Sequence, residues 1–326
     1  MVSPPPLLAL PGLPALRERV DKRLAAAVES DDPTMAEMAS HLVRAGGKRL
    51  RPLFTALSST AGSGPSTVSD DAVTGGVACE LVHVGSLHHD DVIDEATTRH
   101  GVDSVNARWG NLRAILSGDF LLARASELAA SLGTEVAALL AATIGRLCEG
   151  EVRELRFAYQ VDRTVDDYEA AIAGKTAALY ATACRIGGIV AELPREEVDA
   201  LTDFGHHYGM AFQVVDDVLD VVATEEELGK PAGHDMAEGV YNLPVLRAFD
   251  GPGGAELRSL LGGPLTPEAR ERALQIVREG DGVARAVEDA RGYVDRALAD
   301  LERLPPTPAG EALAAATRHL LADLER

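Results

Sequence analysis

Residues 210–220 read Met210-Ala211-Phe212-Gln213-Val214-Val215-Asp216-Asp217-Val218-Leu219-Asp220, three aspartates inside an apolar, helix-forming stretch. The same spacing stands more than a hundred residues earlier in Asp90-Asp91-Val92-Ile93-Asp94. At roughly 100° per residue on a helix, the first and last carboxylates of each triplet fall about 40° apart and the middle one about 100° from the first. The three are then expected on one face, a turn apart, where they repel strongly unless cations neutralise them. Two such triplets facing each other would cradle hard cations through oxygen ligands, which points to Mg²⁺ carrying a phosphate-bearing substrate. One triplet alone reads more readily as a solvated acidic face. Two copies flanked by apolar residues need compensating charge.

Outward from these stretches, helical periodicity runs from near Leu16 almost to Arg326, broken briefly at Asp31-Asp32-Pro33, Ala45-Gly46-Gly47, Gly62 to Pro65, Leu132-Gly133, Leu193-Pro194, Gly229 to Gly233, Asp250 to Gly254, Gly262 to Pro267 and Leu304 to Gly310. These breaks leave about a dozen helical segments with short connections. No break has the length or bias of an interdomain linker. The expectation is an all-α fold, one large helical domain over 15–326 with inward-facing carboxylates, preceded by a mobile proline-rich arm over 1–14. That arm lacks a basic n-region and is interrupted by prolines, so it does not read as a signal peptide.

Of 326 residues, 46% are hydrophobic but only 4% aromatic, so the core should be mostly aliphatic. The formal charge is −20, and the clustered aspartates account for six of those charges. The remaining acidity reads as a solvated surface and argues against nucleic acid as a partner. Cys79, Cys148 and Cys184 have no metal or disulfide spacing, which suits a reducing, cytoplasmic setting. No run of about 18 uninterrupted apolar residues is present, so no transmembrane segment is expected.

Three further motifs carry chemistry. Gly46-Gly47-Lys48-Arg49-Leu50-Arg51-Pro52 sets three cations and a glycine turn before a helix, as diphosphate binding requires, or else forms a solvated basic patch. Gly174-Lys175-Thr176 lacks both the strand and the upstream glycine of a nucleotide P-loop, Glu169 standing at the glycine position. Lys175 and Thr176 remain a helical donor pair. His88-His89-Asp90 invites comparison with His-Asp metal phosphohydrolases, but the only other histidine pair, His206-His207, reads as packing or solvent-facing.

With these pieces in order, the chain resembles the trans-isoprenyl diphosphate synthases of the polyprenyl synthetase family. The resemblance runs from about Gly46 to Leu246 and rests on GGKRLRP at 46–52, ELVHVGSLHHDDVID at 80–94, GKT at 174–176, FQVVDDVLD at 212–220 and GKPAGHDMAEG at 229–239. It implies an all-α, Mg²⁺-dependent homodimer with a substrate cavity inside each helix bundle. Asp90, Asp94 and Asp216, supported by Asp91, Asp217 and Asp220, would hold Mg²⁺ against an allylic diphosphate. Arg99, Lys175, Thr176, Gln213 and Lys230 would contact that diphosphate, and Lys48, Arg51 and His83 that of isopentenyl diphosphate.

Two positions depart from the family pattern. His100 stands where a second arginine is usual, which would leave one isopentenyl diphosphate contact weaker or pH-dependent. Val240 stands where a lysine is frequent, which touches one allylic-diphosphate contact. Chain length would depend on the pocket beneath Asp90. Gly85 and Ser86, where short-chain enzymes place an aromatic, imply an open floor and products of geranylgeranyl length or longer, unless another helix closes the pocket lower down. Two alternatives are a class I terpene cyclase and a non-catalytic subunit of a heteromeric synthase. The second Asp-Asp-x-x-Asp and the Lys48/Arg51/His83 set disfavour the first. The two intact clusters disfavour the second.

Overall fold

Helices begin where the sequence offers a side-chain acceptor. Asp32 Oδ1 accepts the Met35 N–H at 2.9 Å, Ser69 Oγ accepts that of Ala72 at 3.1 Å, and Thr164 with Asp167 forms a capping box. Each cap is worth about 1 kcal/mol. The computed structural model describes residues 12–223, 232–322 and 324. In chain order α1 spans Leu13–Ala27, α2 Pro33–Ala45, α3 Leu50–Ser58 and α4 Asp70–Ile93. A small hairpin, β1 Thr98–Arg99 with β2 Val102–Asp103, precedes α5 Val105–Trp109, α6 Asn111–Ser131 and α7 Thr134–Arg156. Then α8, Val165–Ile172, passes through one π-helical turn at Ala173–Ala177 into α9, Ala178–Val190, followed by α10, Arg195–Val222. The remaining helices are α11 His234–Ala237, α12 Leu243–Ala248, α13 Gly254–Leu260, α14 Pro267–Glu279, α15 Gly282–Leu301 and α16 Pro308–Ala322.

The described residues are all-α apart from that hairpin, whose turn residues His100 and Gly101 both have positive φ (51° and 78°), as a tight right-twisted turn demands. Helix α1 begins at Leu13, inside the stretch read as an arm; residues 1–11 lie outside the described residues. Among the described residues no helix is long and apolar enough to cross a membrane.

Helix α4 centres one half of the bundle, packed on α3, α6 and α9; α10 centres the other, packed on α9, α15 and the π turn. Helix α9 therefore touches both aspartate-bearing helices. The first half closes over Leu24, Leu42, Leu81 and Leu121, the second over Val214, Val218, Leu243 and Val294. Each such side chain contributes about 1.5–3 kcal/mol on burial. Tyr168, Tyr241, Phe249 and Tyr293 join the second half, and the other buried aromatics sit together. Phe54, Tyr180, Phe204 and Tyr208 gather in one cluster, with Phe54 and Tyr208 ring centres 4.4 Å apart.

Candidate active site

The long period of α4 brings Asp90 to its C-terminal turn, half-buried, with Asp94 exposed just beyond it. Asp91 turns away from that face. It is fully buried, and Arg99 forks onto its Oδ1, Nε at 2.8 Å and Nη2 at 2.6 Å. The second cluster also buries its middle aspartate. Asp216 is exposed, whereas Asp217 is buried, accepting the Tyr168 hydroxyl at 2.5 Å and the Gln213 amide at 2.9 Å. Asp220 is buried as well, and its backbone carbonyl accepts the Gly233 N–H at 2.9 Å. The roughly 100° offset of the middle aspartate is enough to bury it, so one face presents two carboxylates of the first triplet and not three.

The π turn links the two clusters. A π-helical turn widens the helix by one residue, and such turns recur at functional sites. Here the Thr176 hydroxyl donates to Gln213 Oε1 at 2.7 Å, so the relay runs Thr176, Gln213, Asp217, Tyr168. The Thr176 proton is thus committed to Gln213. Lys175 extends to the other side, where its charge acts on Asp90 and Asp94. Its ammonium is held 2.7 Å from Glu151 Oε2 and 2.7 Å from Glu154 Oε1 on α7. Burial works to lower the Lys175 pKa, but Glu154 and Glu151 outweigh it and keep the amine protonated. These two glutamates were not anticipated from sequence.

Burial first, with Glu151 and Asp94 adding to it against Lys175 and Arg99, raises the Asp90 carboxyl to about 7. Asp94 and Glu151 are raised too, again chiefly by burial. Burial and then the nearby Asp235 hold Asp217 well above the usual carboxylate range. Among the described residues no three His, Cys, Asp or Glu side chains converge as a ready-made ion site. The donor set nonetheless fits a hard divalent cation. Asp90 and Asp94 share one face, Glu151 and Glu154 oppose the effect of Lys175 on them, and behind them Asp91 Oδ2 is buried without a hydrogen-bond partner.

A cationic group lies beside this acidic face. His83 is pressed well below its ordinary pKa by burial and then by Arg51, His100, Arg99 and Arg49, so it is neutral and able to accept a proton-bearing donor or offer one N–H. Arg51 lies 5.0 Å over the Tyr180 ring, and its Nε is buried with no hydrogen-bond partner among the described residues. Lys48 is exposed on the glycine turn, where Gly46 and Gly47 have φ of 97° and 143°. Arg49 points the other way. Its αL backbone (φ 52°) buries the guanidinium, which donates to Glu80 at 3.2 Å and to the Val43 carbonyl at 2.6 Å. His100 is lowered by burial and by Arg99, so it adds no full charge at neutral pH.

Gly85 does not border open space. A Cβ there would lie 3.1 Å from the Gly118 carbonyl, so Gly85 is the residue that lets α4 and α6 touch backbone to backbone. Ser86 is half-buried one turn before Asp90, its hydroxyl donating to the His83 carbonyl at 2.9 Å. His88 is buried against Ser117 at 2.8 Å and pushed down to about 3, chiefly by burial, while His207 contacts Asp300 at 2.7 Å. Neither histidine pair joins the aspartates as phosphohydrolase ligands would. Lys230 lies outside the described residues.

A helix bundle whose two central helices each carry an acidic cluster to a shared cationic turn defines a class of enzyme, the prenyltransferases that work on diphosphate esters. The polyprenyl synthetase family matches residues 32–278, and the chain belongs to that family. It is a polyprenyl diphosphate synthase. It is 40% identical over 300 residues to the nonaprenyl diphosphate synthase of Mycobacterium tuberculosis (strain ATCC 25618 / H37Rv), covering 91% of this chain and 89% of that one. The heptaprenyl diphosphate synthase of Staphylococcus aureus superposes with a TM-score of 0.89 at 31% identity, over 95% of this chain and 98% of that one. The geranylgeranyl pyrophosphate synthase of Corynebacterium glutamicum, solved with calcium and isoprenyl diphosphate, gives a TM-score of 0.83 at 39% identity over 96% and 98%.

Proposed function

We propose that the chain condenses isopentenyl diphosphate head-to-tail with an allylic diphosphate, in a Mg²⁺-dependent ionisation, condensation and elimination, to give products of geranylgeranyl length or longer. The observation that carries this reading is the π turn, whose Lys175 faces Asp90 and Asp94 while its Thr176 is tied through Gln213 to Asp217. Asp90, Asp94 and Asp216 would hold Mg²⁺, a fit supported by the oxygen ligands that Asp90 and Asp94 bring to one face and by the calcium in the Corynebacterium relative. Bound there, the cation would neutralise the charge that develops on the departing diphosphate.

The protein's own part is positioning. Lys175 donates to the allylic diphosphate, and Asp91 holds Arg99 at the rim for the same group. Arg51, His83 and Lys48 hold the diphosphate of isopentenyl diphosphate, so the two substrates lie side by side with their reacting carbons in a water-poor cleft. No protein nucleophile is required. The same reading takes the active form as a cytoplasmic homodimer. Ile93, Leu112, Leu116, Val152 and Leu155 present apolar side chains to solvent, as an unpaired helix face would, and the cysteines are free thiols.

Chain length is read by sizing the dephosphorylated products. Geranylgeranyl or longer is expected, and accumulation of farnesyl product alone would contradict the open floor. With Gly85 consumed by the α6 contact, the floor position falls to Ser86. Ser86→Phe should shorten the product by at least one isoprene unit, and an unchanged length would place the floor on another helix.

The Asp90 shift gives a pH prediction. Folding raises its pKa from about 4 to about 7, so the folded protein binds more protons in that interval. Stability contributed by Asp90 therefore falls as pH rises from 4 to 7, and above 7 the full cost of the buried carboxylate remains. A cation binds only the carboxylate, so Mg²⁺ affinity should be roughly tenfold weaker at pH 6 than well above 7. Thermal melts with Mg²⁺ should accordingly show a larger stabilisation at pH 8 than at pH 6; equal shifts would rule out Asp90 as a ligand.

A further inference from the structure

An ammonium group has three N–H donors. In Lys175 two of them are spent on α7, on Glu151 Oε2 and Glu154 Oε1, both at 2.7 Å. The two glutamates stand one turn apart, and their side chains are only 15% and 19% exposed, so this is not a solvated surface pair. The same helix also sets the lysine backbone. Gly150, adjoining Glu151, presses so closely on the π turn that a Cβ there would lie 2.5 Å from the Lys175 nitrogen. Main chain and head group of Lys175 are thus both fixed from α7, and one N–H is left over.

Electrostatic attraction does not explain the arrangement. Two carboxylates against one ammonium leave the trio net negative, which opposes an incoming diphosphate. What the pair supplies is orientation. A free lysine carries rotamer entropy, and two short charge-assisted hydrogen bonds remove it before substrate arrives.

We infer that Glu151 and Glu154 are positioning residues of the reaction, holding the Lys175 ammonium in the cleft so that its third N–H meets the allylic diphosphate. This rests on the reading that Lys175 contacts that diphosphate. Orientation needs an acceptor at each position and not a charge, so glutamine should serve where alanine fails.

The test is a double-mutant cycle. Steady-state kinetics at saturating Mg²⁺ are measured for wild type, Glu151→Ala/Glu154→Ala, Lys175→Ala and the triple variant, with Glu151→Gln/Glu154→Gln alongside. The alanine pair should lower kcat/KM for the allylic substrate by about 30-fold, with KM for isopentenyl diphosphate unchanged. The glutamine pair should stay within about threefold of wild type, and in the Lys175→Ala background the alanine pair should add less than about twofold. Effects that multiply fully in that background, a glutamine pair as damaged as the alanine pair, or a raised Mg²⁺ half-saturation would each overturn the inference. If the double alanine variant does not fold, each single variant is read in the same cycle. A Lys175→Ala enzyme with unchanged allylic kcat/KM would instead overturn the diphosphate contact itself, and the inference with it.

Discussion

Asp90→Ala and Asp216→Ala should each lower turnover by about 10³-fold while leaving the helical fold intact, as read by steady-state kinetics beside circular dichroism and thermal melting. The size follows from what the carboxylates would do. In this reading no protein group takes part covalently, so removing a ligand to the cation removes the main stabilisation of the departing charge. Retention of the fold follows from their surroundings. Asp216 is exposed and Asp90 only half-buried, so neither truncation opens a core cavity. Asp90 also carries a burial cost, seen in its rise to about 7, and losing it should raise stability slightly at pH 8. Asp217 is expected to behave differently. Its removal strands the buried Tyr168 hydroxyl and the Gln213 amide, so Asp217→Ala should lose stability as well as activity. Full activity in either the Asp90 or the Asp216 variant would contradict the cation cradle.

Gly150→Val should cost both stability and turnover, although no charge is changed. At position 150 the nearest neighbours of an added Cβ are all backbone: Lys175 N at 2.5 Å, the Ala171 carbonyl at 2.9 Å and the Gly174 carbonyl carbon at 3.0 Å. None of these can swing aside as a side chain would, so α7 and the π turn must separate. Overpacking of this kind costs about 1–3 kcal/mol, and a misplacement of about 1 Å at a catalytic group costs about 10²-fold in rate. Gly150→Ala decides the sign. Helix propensity alone favours alanine over glycine by about 1 kcal/mol. A less stable and slower Gly150→Ala enzyme would therefore show that the close approach outweighs propensity; a more stable, fully active one would show that the turn tolerates displacement.

Much of the fold could be read from local signals. Asp32 before Pro33 and the Gly46-Gly47 turn mark real helix boundaries, because capping and positive φ are properties of a few adjacent residues. The aspartate spacing pointed to the candidate site for the same reason. Contacts set by tertiary approach were not legible. Glu151 and Glu154 stand in Glu149-Gly150-Glu151-Val152-Arg153-Glu154, which has the mixed charge of a solvated helix, and only burial beside Lys175 sets them apart. The buried Gly150 between acidic residues is the one local hint. Arg49 looked like part of a basic patch, but its αL backbone turns it inward to Glu80. Gly85 looked like an open floor because its partner Gly118 is distant in sequence. Phe54, Tyr180, Phe204 and Tyr208 converge from α3, α9 and α10 into one cluster, which no count of residues could locate.

The central claim is tested most directly by incubating the purified protein with Mg²⁺, isopentenyl diphosphate and each of dimethylallyl, geranyl, farnesyl and geranylgeranyl diphosphate, then sizing the dephosphorylated products. Elongation of at least one primer by whole isoprene units, lost on chelation of the metal, is the expected result. No elongated product with any primer, or elongation undiminished without metal, would contradict it.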